Sequence, residues 1–433
     1  MLGGVLALTA CSGTGTTASA SAADIPKEKP KEPFTLLVYM NDVKKEEFDS
    51  RYKEMLDKKF PHITIKYVQA AKGSLIGSWR KSSCRKSTKP KANKLHRRGG
   101  DAVKLKVAVL PEPVVQLKLF DASHCKRLES LGDIVYNRTE GMPTPKTLKD
   151  VIAGADLAVT SWGCTPLTKE ILDRAPRLQA VVHAAGTVKP IVTPELWSRG
   201  IRVTSCNDSL AVGVAESALA LTIASLKNMW RLSQVTREGG WGLGRELVRE
   251  MYGITVGIIG AGKAGRHYIR LLRQFTVDIL VYDPFMSAEE IARIGATKVE
   301  LNELLAESDV VSLHAPSIPS TYHLINRERL MMMKDDAILI NTARGAIVDE
   351  AALAEQLGKG RLFACLDVTA PEPPAPDHPL RSLPNCILTP HIAGAVNNGI
   401  KRLGQFAVEE LGRIVRGVPL LGEVKPEQLE VLA

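Results

Sequence analysis

The stretch GIIGAGKAGR, residues 257–266, decides the fold of the larger part of this chain. Its glycines Gly260, Gly262 and Gly265 have the spacing Gly-x-Gly-x-x-Gly, directly after an apolar run at 255–259 and at the start of a helical pattern. At such a strand-to-helix turn the first glycine permits the tight turn and the second lets a phosphate approach the backbone. The third lets the helix pack on the strand. We therefore predict a dinucleotide-binding βαβ unit.

Two further features make this interpretation more specific. Lys263 and Ala264 lie in the first helical turn, where unpaired backbone amides and the positive end of the helix dipole attract phosphate. Asp283 follows Gly265 by 18 residues, at the end of the apolar run 279–282, where a carboxylate can accept hydrogen bonds from both ribose hydroxyls. It would repel a 2′-phosphate, and the proline and phenylalanine after it offer no arginine instead. The sequence thus predicts NAD rather than NADP as the cofactor.

Around this unit, strand-like runs alternate with helical stretches. The runs occur at residues 104–111, 157–161, 180–183 and 201–204, and a long amphipathic pattern at 211–234 predicts one continuous helix. Such alternation is typical of a parallel α/β architecture.

Length and charge limit the class of protein. At roughly 150 residues per domain, 433 residues predict two or three domains. No stretch approaches 18 uninterrupted apolar residues, so no membrane-spanning helix is expected. The first 101 residues carry 20 basic and 10 acidic side chains, whereas the remaining 332 carry 37 of each. Because the folded body is balanced, the net charge of +10 does not indicate nucleic-acid binding.

The seven cysteines are widely spaced, odd in number and include no Cys-x-x-Cys pair. This pattern favours a reducing compartment, and hence the cytoplasm, over a disulfide framework. It also argues against a structural zinc site, and we predict no metal.

Several separated motifs resemble those of the D-isomer-specific 2-hydroxyacid dehydrogenases, the family that includes phosphoglycerate, formate and glyoxylate/hydroxypyruvate enzymes. The resemblance covers roughly residues 103–420. Besides the glycine stretch, the motifs are SDVVSLHAP (308–316), INTARGAIVDEAAL (340–353), LDVTAPEP (366–373) and LTPHIAG (388–394). The resemblance implies an α/β protein of two Rossmann-like domains, with the NAD-binding domain inserted into a flavodoxin-like substrate domain and the active site between them.

The resemblance also implies roles for single residues. Arg344 matches the arginine that binds the substrate carboxylate and carbonyl oxygen, His391 matches the acid/base histidine, and Glu372 matches the carboxylate paired with it. The cofactor contacts implied outside the glycine turn are His314, Thr342, Ala343, Asp367 and Gly394. Among them, Asp367 corresponds to the residue that holds the nicotinamide carboxamide.

The chemistry of 2-oxo acid reduction asks for the same residue types. An arginine is always charged and grips a carboxylate through its planar fork. A histidine exchanges protons near neutral pH, and a paired glutamate favours its protonated form.

The substrate carboxylate has a candidate site in VVHAAGTVKP, residues 181–190. This segment resembles the family loop whose backbone amides bind that group, and Ala185, Gly186 and Thr187 are the candidates, with His183 at the nearby strand end. Many relatives have Gly-x-Gly-Val-Asp where this chain has Ala-Gly-Thr-Val-Lys, so the particular 2-hydroxy acid stays open. For Trp162 and Trp241 two interpretations stay open: each either lines the substrate pocket or packs in the core, where large aromatic residues more often lie.

The N-terminal quarter has a different character. MLGGVLALTAC ends at Cys11 like a bacterial lipoprotein signal, but no basic residue precedes Lys27, so a frayed apolar terminus is an equal alternative. Strand-like runs at 34–39 and 62–68 resemble the opening of an extracellular solute-binding lipoprotein. Residues 79–100 contain nine basic and no acidic side chains, which predicts a disordered linker.

We accordingly predict a lipoprotein-like leader fragment with a basic disordered linker at 1–101, a substrate domain at 102–206, an NAD-binding domain at 207–391 and a return segment at 392–433. The predicted function is NAD-dependent interconversion of a D-2-hydroxy acid and its 2-oxo acid by a cytoplasmic homodimer. Two alternatives stay open: an NAD(H)-sensing, corepressor-like binding protein with the same fold, and a lipid-anchored solute-binding protein.

Overall fold

The computed structural model describes residues 7–11, 17–20, 35–40, 53, 57–58, 64–69 and 104–429. The chain divides into two compact units, Met1–Lys94 and Leu95–Ala433. The predicted linker at 79–100 lies outside the described residues.

The first unit contains one small sheet. Its strands, in the spatial order β2-β1-β3-β4, are β1 (Ala7–Cys11), β2 (Thr17–Ala20), β3 (Thr35–Met40) and β4 (Thr64–Gln69). β3 and β4 pair in parallel, while β1 runs antiparallel to both of its neighbours. The two strands predicted at 34–39 and 62–68 are therefore confirmed within two residues at each end.

The second unit contains two sheets, and the one that carries the glycine turn has seven strands, all pairing in parallel. Its spatial order is β12-β11-β10-β13-β14-β15-β16. The strands are β10 (Tyr252–Ile259), β11 (Thr276–Tyr282), β12 (Thr297–Lys298), β13 (Val310–Leu313), β14 (Ala337–Asn341), β15 (Leu362–Leu366) and β16 (Cys386–Leu388). The strand order reverses between β10 and β13, and ligands of such sheets bind at that reversal, outside the carboxyl ends.

The other sheet has six strands in the order β17-β9-β8-β7-β5-β6. They are β5 (Leu105–Val109), β6 (Gly132–Tyr136), β7 (Leu157–Thr160), β8 (Ala180–His183), β9 (Arg202–Ser205) and β17 (Glu423–Val424). Only β17 is antiparallel to its neighbour. The chain thus leaves this sheet after β9, builds the seven-stranded sheet and returns.

Helices cover the faces of both sheets. They are α1 (Pro113–Leu119), α2 (Ala122–Leu131), α3 (Pro145–Ile152), α4 (Lys169–Leu172), α5 (Pro194–Ser198), α6 (Asn207–Leu226), α7 (Met229–Arg237), α8 (Lys263–Leu272), α9 (Ala288–Arg293), α10 (Leu301–Glu307), α11 (Arg327–Met332), α12 (Glu350–Gly358) and α13 (Asn398–Arg416). The returning helix α13 contacts α1, α2 and α6.

Core packing explains why the strands read as continuous apolar runs. Along β14, Ala337 and Leu339 belong to the apolar cluster on one face, while Ile338 and Ile340 belong to the cluster on the other. A strand buried on both faces has no side that faces solvent, so apolar and polar residues do not alternate along it. The α/β class with two Rossmann-like domains is confirmed, whereas the boundaries at 206/207 and 391/392 stay predictions.

The continuous helix expected at 211–234 is wrong. α6 ends at Leu226 and α7 begins at Met229, because Asn228 adopts a left-handed backbone with φ 51°. A left-handed residue cannot continue a right-handed helix. The apolar pattern runs through this break, so periodicity alone does not reveal it.

Among the described residues, one helix, α6, is long and apolar enough to cross a membrane by length and composition. A core helix passes the same test, and α6 contacts α8, α13 and β14.

Candidate active site

The three glycines of the turn after β10 have different surroundings. Gly260 has φ 93°, and a Cβ there would lie 2.8 Å from the backbone nitrogen of Ala315. A Cβ on Gly265 would lie 2.2 Å from the carbonyl oxygen of Gly260. A Cβ on Gly262, in contrast, would meet no described atom within 4 Å. Two glycines are thus required by packing, and the middle one faces the open space that a bound phosphate needs.

Helix α8 begins at Lys263 with no side chain of the described residues capping its first turn. The backbone N–H groups of Lys263 and Ala264 are therefore available to donate hydrogen bonds to a bound anion. The Lys263 ammonium is more than half exposed and lies 3.4 Å from Oδ1 of Asp208. Lys263 is thus paired with a carboxylate, and the attraction of the turn for phosphate rests on the backbone amides.

Asp283 is 8 % exposed at the end of β11 and holds the glycine turn in place. Its Oδ2 accepts the backbone N–H of Ala261 at 2.8 Å, and its Oδ1 accepts that of Phe285 at 2.9 Å. Each carboxylate oxygen has a second lone pair. The predicted bonds to ribose hydroxyls are therefore compatible with these two backbone contacts.

Two buried polar atoms near this edge make no hydrogen bond with any described residue. One is Nδ1 of His314 and the other is Oγ1 of Thr342. Nε2 of His314 forms a hydrogen bond with Ser312 Oγ at 2.9 Å, and the centre of its ring lies 5.3 Å from that of Tyr268. Burial lowers the pKa of His314 to about 4. Unpaired buried polar atoms are costly unless a ligand pairs with them. Together with the open side of Gly262, they fit a dinucleotide at this edge.

Arg344, Glu372 and His391 follow three adjacent parallel strands, β14, β15 and β16, so all three come off one edge of the sheet. A Cβ on Gly345 would lie 2.1 Å from the carbonyl carbon of Thr369, so the backbone next to Arg344 rests directly on the loop that carries Glu372. The glycine turn follows β10 at the same edge. The topology thus brings the loops that carry the three residues to one edge of the sheet, while the Arg344 guanidinium itself donates to the Ala343 carbonyl oxygen at 2.7 Å; their joint catalytic role stays a prediction.

His391 and Glu372 form a direct pair. Nδ1 of His391 lies 2.8 Å from Oε2 of Glu372, and Oε1 of Glu372 accepts the Thr369 N–H at 3.3 Å. The His391 side chain is 53 % exposed, so its Nε2 is left for a substrate. A cavity of about 430 Å³ opens beside the pair, with Arg381 and Pro374 among its other lining residues.

Asp367 fixes the loop that carries His391. Its carboxylate accepts the Thr389 hydroxyl at 2.6 Å and the N–H groups of Ile392 and Ala393 at 2.9 and 2.7 Å. Its backbone oxygen accepts the N–H of His391, which has φ 52°. A left-handed residue other than glycine costs roughly 1 kcal/mol, which these bonds offset. Sequence reasoning missed this role, while the role at the nicotinamide carboxamide stays a prediction.

The candidate substrate loop follows β8. The backbone N–H groups of Ala185, Gly186 and Thr187 have no acceptor among the described residues. His183 connects this loop to the sheet. Its Nδ1 lies 2.9 Å from Thr160 Oγ1 on the neighbouring strand, and its ring also forms a hydrogen bond with the Thr187 backbone in the loop. Burial lowers the pKa of His183 to about 4, so the ring is neutral near pH 7. The register that places Thr160 opposite His183 is the signal for this anchor.

The substrate loop and the His391 loop meet at α6. Leu210 would contact a Cβ on Gly186 at 3.5 Å and a Cβ on Gly394 at 3.6 Å. The loop whose amides suit a carboxylate and the loop that carries His391 therefore both lie against Leu210. Trp162 and Trp241 are 42 % and 86 % exposed, so neither is a core residue.

Comparisons with known proteins agree with this site. Residues 219–393 match the family model described as D-isomer specific 2-hydroxyacid dehydrogenase, NAD binding domain. The glyoxylate reductase of Korarchaeum cryptofilum is 35 % identical over 296 residues, which span 67 % of this chain and 89 % of that protein. The chain belongs to the D-isomer-specific 2-hydroxyacid dehydrogenase family.

The chain spans little more than half the length of the phosphoglycerate dehydrogenases that it matches. The chain is 33 % identical over 309 residues to the D-3-phosphoglycerate dehydrogenase of Methanocaldococcus jannaschii, spanning 70 % of this chain but only 58 % of that relative. In fold it is similar to the TT0316 protein of Thermus thermophilus, with a TM-score of 0.60 and 32 % identity over 74 % of this chain and all of that one.

Proposed function

We propose that this protein is an NAD-dependent oxidoreductase that interconverts a D-2-hydroxy acid and its 2-oxo acid. The observation that carries the proposal is the 2.8 Å contact between His391 and Glu372 at the sheet edge that also carries Arg344 and the open glycine turn. Family membership and the names of the relatives, among them a glyoxylate reductase and a phosphoglycerate dehydrogenase, support it.

The residues divide the work of reducing a 2-oxo acid. The amides of residues 185–187 and the Arg344 guanidinium bind the substrate carboxylate, and Arg344 also polarises the carbonyl group. Because Nδ1 of His391 is engaged by Glu372, Nε2 donates the proton to the oxygen that becomes the hydroxyl. Glu372 fixes the orientation of the ring through that contact. When bound, NAD carries the hydride.

Cofactor binding rests on the residues around the glycine turn. Gly262 leaves room for the pyrophosphate, and the backbone N–H groups of Lys263 and Ala264 donate hydrogen bonds to it. Asp283 binds the ribose hydroxyls. On the nicotinamide side, we assign the orphaned Thr342, the backbone of Ala343 and the segment at Gly394.

A substrate panel tests the proposal. NADH oxidation is measured with glyoxylate, hydroxypyruvate, phosphohydroxypyruvate and branched 2-oxo acids, with NADPH in parallel. We expect turnover of at least one of these acids with NADH. Tight NADH binding without turnover of any acid would instead support the NAD(H)-sensing alternative, because a sensor retains the nucleotide site and needs no proton transfer.

We further propose that the protein forms a homodimer through the surface of α7. None of the nine residues of this helix is buried, and it lines a shallow cavity of about 1000 Å³. Met229 and Trp230 on α7, and Trp241 and Leu243 after it, are exposed apolar side chains. Light scattering on the wild type and on Trp230→Glu tests this: we expect the mass of a dimer for the former and a monomer for the latter. A monomeric wild type would refute the dimer.

We also propose a cytoplasmic location, because the seven cysteines of the sequence are widely spaced and odd in number, a pattern that does not suit a disulfide framework. Nothing in the comparisons supports a lipid anchor at Cys11. Cell fractionation with mass measurement separates the two, since lipidation at Cys11 would place the protein in the membrane fraction.

A further inference from the structure

A largely buried carboxylate, that of Glu350, lies beside the loop that carries Glu372. Glu350 is the first residue of α12, and its side chain is only 10 % exposed. The preceding residue, Asp349, caps the helix by accepting the Ala352 N–H at 3.0 Å. Glu350 is therefore not needed to cap its own helix, and its side chain is directed elsewhere.

Glu350 holds the loop that carries Glu372. Its Oε1 accepts the backbone N–H of Ala370 at 2.8 Å, while the neighbouring Thr369 N–H is accepted by Glu372 itself. Two consecutive amides of this loop thus bind two different glutamates. The loop lies between Glu350 on one side and the Glu372–His391 pair on the other.

The same glutamate also connects the Arg344 segment to this loop. Glu350 lies six positions after Arg344, and the backbone at Gly345 rests on Thr369. The segment that carries Arg344 therefore contacts the loop that carries Glu372 at two places, through Gly345 at Thr369 and through Glu350 at Ala370.

The environment of Glu350 is costly for a carboxylate. Its Oε2 makes no hydrogen bond with any described residue, although Nε2 of His378 lies 3.3 Å away. Burial raises the pKa of Glu350, and the nearby Glu372 adds to the rise, while His378 and His323 oppose it. A costly buried group that also fixes the geometry of a catalytic loop is better explained by positioning than by stability.

We propose that Glu350 is a positioning residue, which sets the location of Glu372, and thereby of His391, relative to Arg344 through its hydrogen bond with Ala370. The inference rests on the proposed function for its catalytic consequence. Its structural part, the dependence of the His391–Glu372 contact on Glu350, stands by itself.

Two conservative variants separate geometry from charge. Glu350→Gln retains an oxygen that can accept the Ala370 N–H, and its amide N–H can donate to a neutral His378. Glu350→Asp retains the charge, but its side chain is one methylene shorter and cannot span the same gap. The positioning role predicts kcat within about twofold of wild type for the glutamine variant and about tenfold or more below it for the aspartate variant. A purely electrostatic role predicts the opposite order.

Glu355 provides the matched control. It lies on the same helix but pairs on the surface with Lys359 and Arg327. Glu355→Gln and Glu355→Asp should leave kcat unchanged. Thermal unfolding and NADH affinity, measured on all four variants, show whether a loss of kcat reflects unfolded protein.

A second readout needs no turnover. NMR of histidine labelled with nitrogen-15, with the His391 signals assigned by His391→Asn, reports the hydrogen bond at Nδ1. We expect the wild-type signal in Glu350→Gln and its loss or shift in Glu350→Asp. An unchanged signal and an unchanged kcat in the aspartate variant would overturn the proposal. A wild type without turnover would overturn the proposed function, and the NMR comparison would still decide the role of Glu350.

Discussion

Nδ1 of His391 lies 2.8 Å from Oε2 of Glu372, and the other oxygen of that carboxylate is held by the Thr369 amide. The histidine is thus oriented by a carboxylate whose other oxygen is held by a backbone amide. This leaves Nε2 as the atom that faces the substrate, as in other sites where a carboxylate orients an acid/base histidine.

Glu372→Gln should lower kcat by about 100-fold or more, because positioned acid–base catalysis contributes at least that much. The amide retains the size of the side chain but lacks the carboxylate that holds Nδ1 of His391. Steady-state kinetics with NADH and the best 2-oxo acid measure the effect. A loss of less than threefold would show that the carboxylate is not needed.

The glycine turn predicts opposite outcomes for two similar substitutions. Gly262→Ala should leave the unfolding midpoint unchanged but weaken NADH binding by about tenfold, or 1.4 kcal/mol, because the new methyl group occupies the space of the pyrophosphate. Gly260→Ala should destabilise the fold by roughly 1–3 kcal/mol, because of its positive φ and its contact with Ala315. Thermal unfolding and NADH fluorescence titration distinguish the two. Equal effects of both variants on stability would contradict the assigned roles.

Asp283→Asn should reduce the preference for NADH over NADPH by about tenfold. The charge that repels a 2′-phosphate is removed, while an oxygen stays available for the Ala261 or the Phe285 amide. The ratio of kcat/KM for the two cofactors is the measurement. If that ratio does not change, Asp283 does not face the ribose.

The two buried histidines, His183 and His314, should make the free energy of unfolding depend on pH. Burial lowers both pKa values to about 4, whereas an unfolded histidine has a pKa near 6.5. The unfolded chain therefore binds more protons between these values, so this stability is complete above pH 6.5 and lost as the pH falls toward 4. At pH 5 the loss is about 2 kcal/mol per histidine.

Urea unfolding at pH 7.5 and at pH 5 measures this loss. His183→Gln does not titrate at this position and should lose correspondingly less stability than the wild type over the same interval. The same loss in both proteins would mean that His183 is not buried in its neutral form.

The sequence predicts much of this fold, because buried parallel strands contain uninterrupted apolar stretches, such as residues 107–109 of β5. The motifs also predict candidate site residues on loops that follow strands, and those strands are adjacent in the structure. The break at Asn228 escapes prediction, since a single left-handed residue leaves the apolar pattern intact.

Side-chain direction is the other part that could not be predicted. Asp367 lies in a recognisable motif, but its bonds to residues 389–393 depend on the pairing of β15 with β16. Glu350 likewise has the sequence position of an ordinary first-turn helix residue. Only the tertiary structure shows that it binds Ala370 rather than solvent.

The most direct test of the central claim compares the wild type with His391→Ala for NADH oxidation by the best 2-oxo acid of the panel, with NADH affinity measured in the same samples. Our account predicts turnover by the wild type, a variant slower by about 100-fold to 10,000-fold, and unchanged NADH affinity. Near-normal reduction of every accepted 2-oxo acid by His391→Ala would contradict it.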